Sequence, residues 1–167
     1  KESYERMIAA VTEAERYVTD HPHPNPSPLN KSHYPKRGED SFPILRGLLT
    51  NRSNPDAPQP PILHHRSSPE ILSFVNHQKV ERWSQIGPAT PDHVIRTKPL
   101  PLLLAAPSGF TSLDAWRQDN ALRLQHYIES YKAYFERERT ARQGQQTMLD
   151  PYPRVILIPE LGLVSAA

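Results

Sequence analysis

Apolar positions in the first twenty residues recur with the period of a helix. Tyr4, Met7, Ile8, Val11, Ala14 and Val18 form one stripe, while Glu5, Arg6, Glu13 and Arg16 fall mostly on other faces. The spacing predicts an amphipathic helix from Glu2 to Val18, ended by Asp20 and the prolines that follow, with an apolar face that needs a partner. From His21 to Phe42 the periodicity stops, and Pro, His, Asn, Ser and Lys predict a loop. Pro43-Ile44-Leu45-Arg46-Gly47-Leu48-Leu49 reads as a short helix with proline in its first turn. A second loop spans Asn51 to Pro60, and Ile62-Leu63-His64-His65 then reads as a short strand. Ser67 and Glu70 have capping-box spacing around Pro69, ahead of the apolar Ile71, Leu72, Phe74 and Val75. A second short helix, Lys79 to Gln85, carries Val80 and Trp83.

The stretch Gly87-Pro88-Ala89-Thr90-Pro91-Asp92-His93-Val94-Ile95-Arg96-Thr97-Lys98 combines turn residues with a dense set of polar groups. His93, Ile95 and Thr97 alternate with Val94, Arg96 and Lys98, which predicts a strand over Val94–Thr97 fed by a loop. In that strand Arg96 and Lys98 share a face with Val94. Two readings of the segment stand side by side. Thr90, Asp92, His93, Arg96 and Lys98 form a candidate ligand-binding set for an anion such as a sugar phosphate, with the two cations supplying charge-assisted hydrogen bonds. Alternatively, Asp92 caps a turn, His93 is a satisfied buried group, and Arg96 and Lys98 are solvated. The position of His93 at the start of the strand counts against the first reading, because ligands of open α/β sheets sit at the carboxyl ends of strands.

A second apolar run, Leu100 to Ala105, follows. The longest helix opens at Ser112-Leu113-Asp114 and reaches about Arg139, with Leu113, Trp116, Leu124, Tyr127, Ile128, Tyr131, Tyr134 and Phe135 at helical spacing. Trp116, Tyr127, Ile128, Tyr131 and Phe135 are expected to face one side and to be largely buried. Arg154-Val155-Ile156-Leu157-Ile158 reads as a strand covered on both faces, and Pro159-Glu160-Leu161-Gly162-Leu163 leads from it into a small-residue tail. Strands alternate with helices. The fold class is therefore α/β: a layered, mixed or partly parallel sheet flanked by helices, with one long amphipathic helix and Pro-rich loops.

Composition narrows the function. Proline, at 19 of 167 residues, is about twice its usual share of ~5%, and its clustering marks loops rather than global disorder. A net charge of +2, with acidic and basic residues interleaved, offers no stripe for nucleic acid and no polybasic membrane signal. The absence of cysteine excludes disulfides and thiolate chemistry, and fits a cytoplasmic location. His21-Pro22-His23 lies in an extended loop without fixed neighbouring ligands. His64 and His65, adjacent in a strand, point to opposite faces and cannot share one metal. Glycine-rich nucleotide loops, a nucleophile elbow and a zinc-protease helix are all missing, so no metal or cofactor is assigned to these residues, and no catalytic residue.

Taken in order, Leu45-Arg46-Gly47-Leu48-Leu49, Phe74-Val75-Asn76, the segment Gly87–Lys98, Tyr134-Phe135 and Leu149-Asp150-Pro151-Tyr152-Pro153-Arg154-Val155-Ile156-Leu157-Ile158-Pro159 resemble the middle of the bifunctional rhamnulose-1-phosphate aldolase/short-chain dehydrogenase family. The opening residues, Tyr4-Glu5-Arg6 through Tyr17, resemble the last helix of that family's class II aldolase (adducin-like) domain. The resemblance covers most of the chain and is weak over His21–Ser41 and Asn51–Pro60. It implies a cytoplasmic sugar-catabolic enzyme. A zinc-dependent aldolase half would cleave a ketose phosphate to dihydroxyacetone phosphate and an aldehyde, and an NAD(P)-binding half would oxidise an aldehyde or alcohol. The zinc histidines and the dinucleotide fingerprint have no match here; the resemblance places them before Lys1 and after Ala167. It divides the chain into 1–20, the C-terminal helix of an upstream aldolase domain; 21–42, a Pro/His-rich loop; and 43–167, an α/β unit linking the two halves. The implied partners are those flanking domains, the sugar phosphate or aldehyde, and a further copy in a homo-oligomer. At Pro159-Glu160-Leu161-Gly162-Leu163 the chain departs from the family's Pro-Gly-Leu-Gly-Leu.

Three hypotheses follow. The chain is the inter-catalytic part of a bifunctional enzyme, incomplete alone and cut from something longer at both ends. Or it is a non-catalytic α/β interaction or assembly module, with the aromatic face of the long helix as an interface. Or it is a small enzyme built on Asp92, His93, Arg96 and Lys98, which ranks last because no nucleophile or metal set accompanies them.

Overall fold

The computed structural model describes residues 2–21, 37–50, 58–88, 90–141, 144 and 146–167. The loop histidine His23 and most of the two expected loops, residues 22–36 and 51–57, lie outside the described residues. Six α-helices are described: α1 (Glu2–Asp20), α2 (Arg37–Leu49), α3 (Pro69–Val75), α4 (Val80–Ser84), α5 (Pro91–Thr97) and α6 (Leu113–Ala141). The described strands are β1 (Leu63–Arg66), β2 (Leu102–Leu103), β3 (Val155–Ile158) and β4 (Gly162–Ala166). They form one mixed sheet in the order β1-β4-β3-β2, antiparallel except between β2 and β3. The mixed α/β class inferred from the sequence is the observed one.

Register decides which side chains meet. Ile156 pairs with Val164 and with Leu102, and Ala166 with Leu63. Alternation puts Ile156, Ile158, Val164 and Ala166 on one face of the sheet. There they join Leu45 and Leu49 of α2, and Trp116 and Leu124 of α6, in the main core cluster. Leu157, also buried, points to the other face, and α3 packs beside β4. Both faces are therefore covered, as the continuous apolar run of β3 requires.

Trp116 and Asn120, one turn apart on α6, are fully buried. The Trp116 indole N–H donates to the Ala105 carbonyl at 2.8 Å, and the Asn120 side-chain oxygen accepts from the Ala105 N–H at 3.0 Å. Both main-chain groups of Ala105, two residues past β2, are thus satisfied by one helix face. This ends the strand and fixes α6 against the sheet.

Several expectations are corrected. The expected strand over Val94–Thr97 is the helix α5. Pro91 stands in its first turn, Asp92 adds an acidic side chain there, and Thr97 Oγ1 donates to the His93 carbonyl at 2.8 Å. Six alternating residues, His93 to Lys98, do not separate strand from helix when a first-turn proline and acidic residue favour a helix and, among the described residues, no neighbouring strand is present. Helix α2 begins at Arg37, six residues before Pro43, so proline sits inside the helix rather than in its first turn. Glu39 and Asp40, set in the first turn beside the positive end of the helix dipole, favour that earlier start. The tail after β3 is a central strand. Residues 159–161 form a tight turn with Glu160 at φ 71°, and β4 runs back between β3 and β1. Gly162, at φ 116°, is required there because a Cβ would lie 2.3 Å from the Arg66 carbonyl oxygen. The aromatic stripe of α6 is not uniformly buried: Trp116 is enclosed, whereas Tyr127, Ile128, Tyr131 and Phe135 are partly covered.

Candidate functional site

The five candidate residues of the central segment divide into an exposed group and one buried member. Thr90, Asp92, His93 and Arg96 are exposed on or just before α5. Thr90 Oγ1 and His93 Nδ1 are hydrogen-bonded at 2.6 Å, which holds the imidazole over the first turn. Lys98 ends the helix at φ 70°, a conformation non-glycine residues adopt only when the surroundings enforce it. Its side chain is 3% exposed, so the expectation of a solvated Lys98 does not hold, nor does a common face with Arg96.

The enforcing surroundings come from α6 and the loop before β3. Lys98 Nζ donates to the Asp150 carbonyl at 2.5 Å and lies 4.3 Å from the centre of the Tyr131 ring. The Asp150 carboxylate pairs with Arg154 and also accepts from the Tyr152 N–H at 3.2 Å. Burial pushes Lys98 below the usual lysine range; the charge of Asp150 opposes this, and that of Arg154 adds to it. Tyr127 donates to the Leu100 carbonyl at 2.9 Å. Burial raises its phenol well above the ordinary range, with Tyr131 and Asp150 contributing. Tyr131 is raised by burial first, then by Asp150 and Tyr134. A cavity of about 90 Å³ lies beside this cluster, lined by Pro99, Leu100, Tyr127, Ser130, Tyr131 and Tyr134. A larger one of about 280 Å³ is lined by Asp150 and Arg154 together with Gln59, Tyr152 and Ala166.

Asp150, Arg154, Tyr127 and Tyr131 belong to this constellation, yet in the sequence they read as a turn and a core stripe. The available signal was the Asp-Pro-Tyr-Pro-Arg run, whose four-residue spacing lets Asp150 and Arg154 meet. A second unforeseen cluster surrounds the β3–β4 turn. The Asn76 side-chain oxygen accepts from the Glu160 N–H at 2.8 Å, and the Glu160 carboxylate accepts from Ser108 Oγ and, at 3.3 Å, from the Ser108 N–H. These bonds tie α3, the turn after β2 and the hairpin together, and they offset the cost of a non-glycine residue at positive φ.

Among the described residues, no group of three or more His, Cys, Asp or Glu side chains is placed to hold a metal ion. His64 and His65 do lie on opposite faces of β1; His65 Nε2 is bonded to the Leu161 carbonyl at 2.7 Å and its ring packs 4.7 Å from Phe42. Among the described residues, no helix is long and apolar enough to cross a membrane.

Comparison with known proteins gives these shapes a context. Residues 36–167 match the family model described as "Aldolase class II, second domain". The chain is also similar to a Bacillus subtilis (strain 168) protein described as "Uncharacterized oxidoreductase YuxG", 29% identical over 163 residues. That match covers 97% of this chain and 23% of the relative, so the chain spans about a quarter of the relative's length. No solved structure matches the chain. The family match takes in α2 through β4, the whole sheet and its core helices, and so the chain belongs to the class II aldolase second-domain family.

Proposed function

We propose that this chain is the inter-catalytic part of a bifunctional sugar-catabolic enzyme of the cytoplasm. In this reading a rhamnulose-1-phosphate-type class II aldolase half precedes it and a short-chain dehydrogenase half follows it. One observation carries the proposal: an aldolase second domain matches most of a chain whose relative is about four times longer and is described as an oxidoreductase. Zinc and NAD(P) then belong to the flanking halves. The described residues here supply neither a histidine set nor a glycine-rich turn on a helix. The exposed face of α5, with Asp92, His93 and Arg96, is the candidate contact for a sugar phosphate or aldehyde in the assembled protein.

The test uses the full-length protein and this chain side by side. The full-length protein is expected to cleave a ketose phosphate to dihydroxyacetone phosphate and an aldehyde, to oxidise an aldehyde or alcohol with NAD(P), and to hold about one zinc per chain. The 167-residue chain is expected to do none of these. Either activity in the short chain, or neither in the long one, overturns the proposal. A second reading, a non-catalytic assembly module, draws on the half-buried Tyr127–Tyr131–Tyr134 face of α6. It is favoured if the full-length protein loses its oligomeric state, but neither activity per protomer, when Tyr134 is changed to Asp.

A further inference from the structure

Helix α1 has no buried residue along its 19 positions. Its apolar side chains nevertheless keep a strict rhythm. Tyr4, Met7, Val11, Ala14 and Val18 are spaced 3, 4, 3 and 4 residues apart, the seam of a helix that packs against another helix. Tyr4, Met7, Ile8, Val11, Tyr17 and Val18 are between 45% and 67% exposed. So contiguous an apolar stripe marks a surface that something covers.

Three observations indicate what covers it. The family match begins at residue 36, so α1 lies outside the second domain. The match to the longer relative covers 97% of the chain, so it runs on through α1 as part of the same polypeptide. The helix carries five carboxylates, Glu2, Glu5, Glu13, Glu15 and Asp20, against two guanidiniums, Arg6 and Arg16. That charge disfavours an anionic lipid surface and disfavours a second copy of the same acidic helix. We infer that α1 docks by its Tyr4–Met7–Val11–Val18 seam into an apolar groove bordered by basic side chains on the domain that precedes the second domain in the same polypeptide. The inference rests on the proposed function only in requiring such a preceding domain.

Hydrogen exchange of the amides of residues 2–20 tests it, in the 167-residue chain and in the full-length protein. The expected result is exchange at least about 100-fold slower in the full-length protein, as for a helix whose opening requires undocking. Val11→Asp should remove that protection while α6 amides stay as they are, and Val11→Ala should remove part of it should the aspartate variant fail to fold. Equal exchange in both proteins overturns the inference. Protection that appears in the short chain and grows with its concentration overturns it in favour of a second copy. Protection that needs anionic vesicles overturns it in favour of a lipid surface. The same full-length sample, assayed for both activities, separates the two claims: slow exchange without either activity keeps the docking surface and removes the bifunctional reading.

Discussion

Lys98 and Tyr127 show how a single residue's burial becomes a pH dependence. The Tyr127 phenol is raised in the folded protein, so below the ordinary phenol value of about 10 both states hold the proton and its contribution is complete. Above that value the unfolded chain ionises first, and the contribution is lost as pH climbs towards the folded value; Tyr131 acts in the same direction. Lys98 has the opposite sign. Its folded value is lowered, so the cost of burying an ammonium is complete below that lowered value and is relieved as pH rises through it. The Tyr127 shift is the largest of the three, so the fold should weaken in alkali. Tyr127→Phe is expected to flatten that alkaline loss and to cost about 0.5–1.5 kcal/mol at neutral pH through the bond to Leu100. Urea unfolding at neutral and alkaline pH reads both numbers. An alkaline slope as steep as the parent's would show that this phenol is not its source.

At the scale of elements, α6 is two helices' worth of behaviour in one. Its first half holds the sheet through Trp116, Asn120 and Leu124, all buried. Its second half carries half-buried tyrosines over the Lys98 side chain and a small cavity. Equal burial along the stripe would make Tyr131 as costly to truncate as Trp116; the structure separates them. Trp116→Ala is expected to cost about 3–5 kcal/mol as a core cavity, with the Ala105 carbonyl left unpaired in addition. Tyr131→Ala should cost clearly less, about 1–2 kcal/mol, because much of that ring already meets water. Chemical denaturation of both variants decides it, and equal losses would mean that the second half of α6 is as enclosed as the first. The periodicity of the helix was legible from residue 113 onward. How deeply each turn is buried was not, because depth depends on where the sheet ends beneath it.

For the molecule as a whole, the central question is what the α5 segment does when its one buried lysine is set apart. Asp92, His93 and Arg96 face solvent, whereas Lys98 reaches across to Asp150, 52 residues away in sequence. His93→Ala and Arg96→Ala should therefore leave stability within about 0.5 kcal/mol of the parent, as at ordinary exposed positions. Lys98→Ala should destabilise by more than about 1 kcal/mol, since it removes a short hydrogen bond and a cation over an aromatic ring while leaving the strained φ in place. Measured in the full-length protein, a fall in either activity for the exposed variants at unchanged stability marks α5 as a ligand contact. A Lys98→Ala protein as stable as the parent would remove the lysine's anchoring role.

Local chemistry determined much of this protein by itself. Apolar rhythm placed α1, α3, α4 and α6, the β-branched run placed β3, and the Ser-Ser-Pro-Glu run set the start of α3, although the cap is Ser68, whose Oγ accepts from the Ile71 N–H, and not the Ser67 to which the capping-box spacing pointed. These features act within one or two turns of chain, so the sequence carries them whole. Three features were decided only by tertiary structure. The segment at Val94–Thr97 is a helix because, among the described residues, no strand lies beside it to pair with, and alternation from His93 to Lys98 holds an extended chain only where such a partner exists. The chain after Ile158 became the centre of the sheet because Glu160 and Gly162 accept positive φ and β1 lies within pairing distance. Lys98 left its neighbours on α5 because the Asp150 carbonyl and the Tyr131 ring, far away in sequence, offered a buried ammonium its partners. Each of these depends on contacts between residues distant along the chain, which no local pattern encodes.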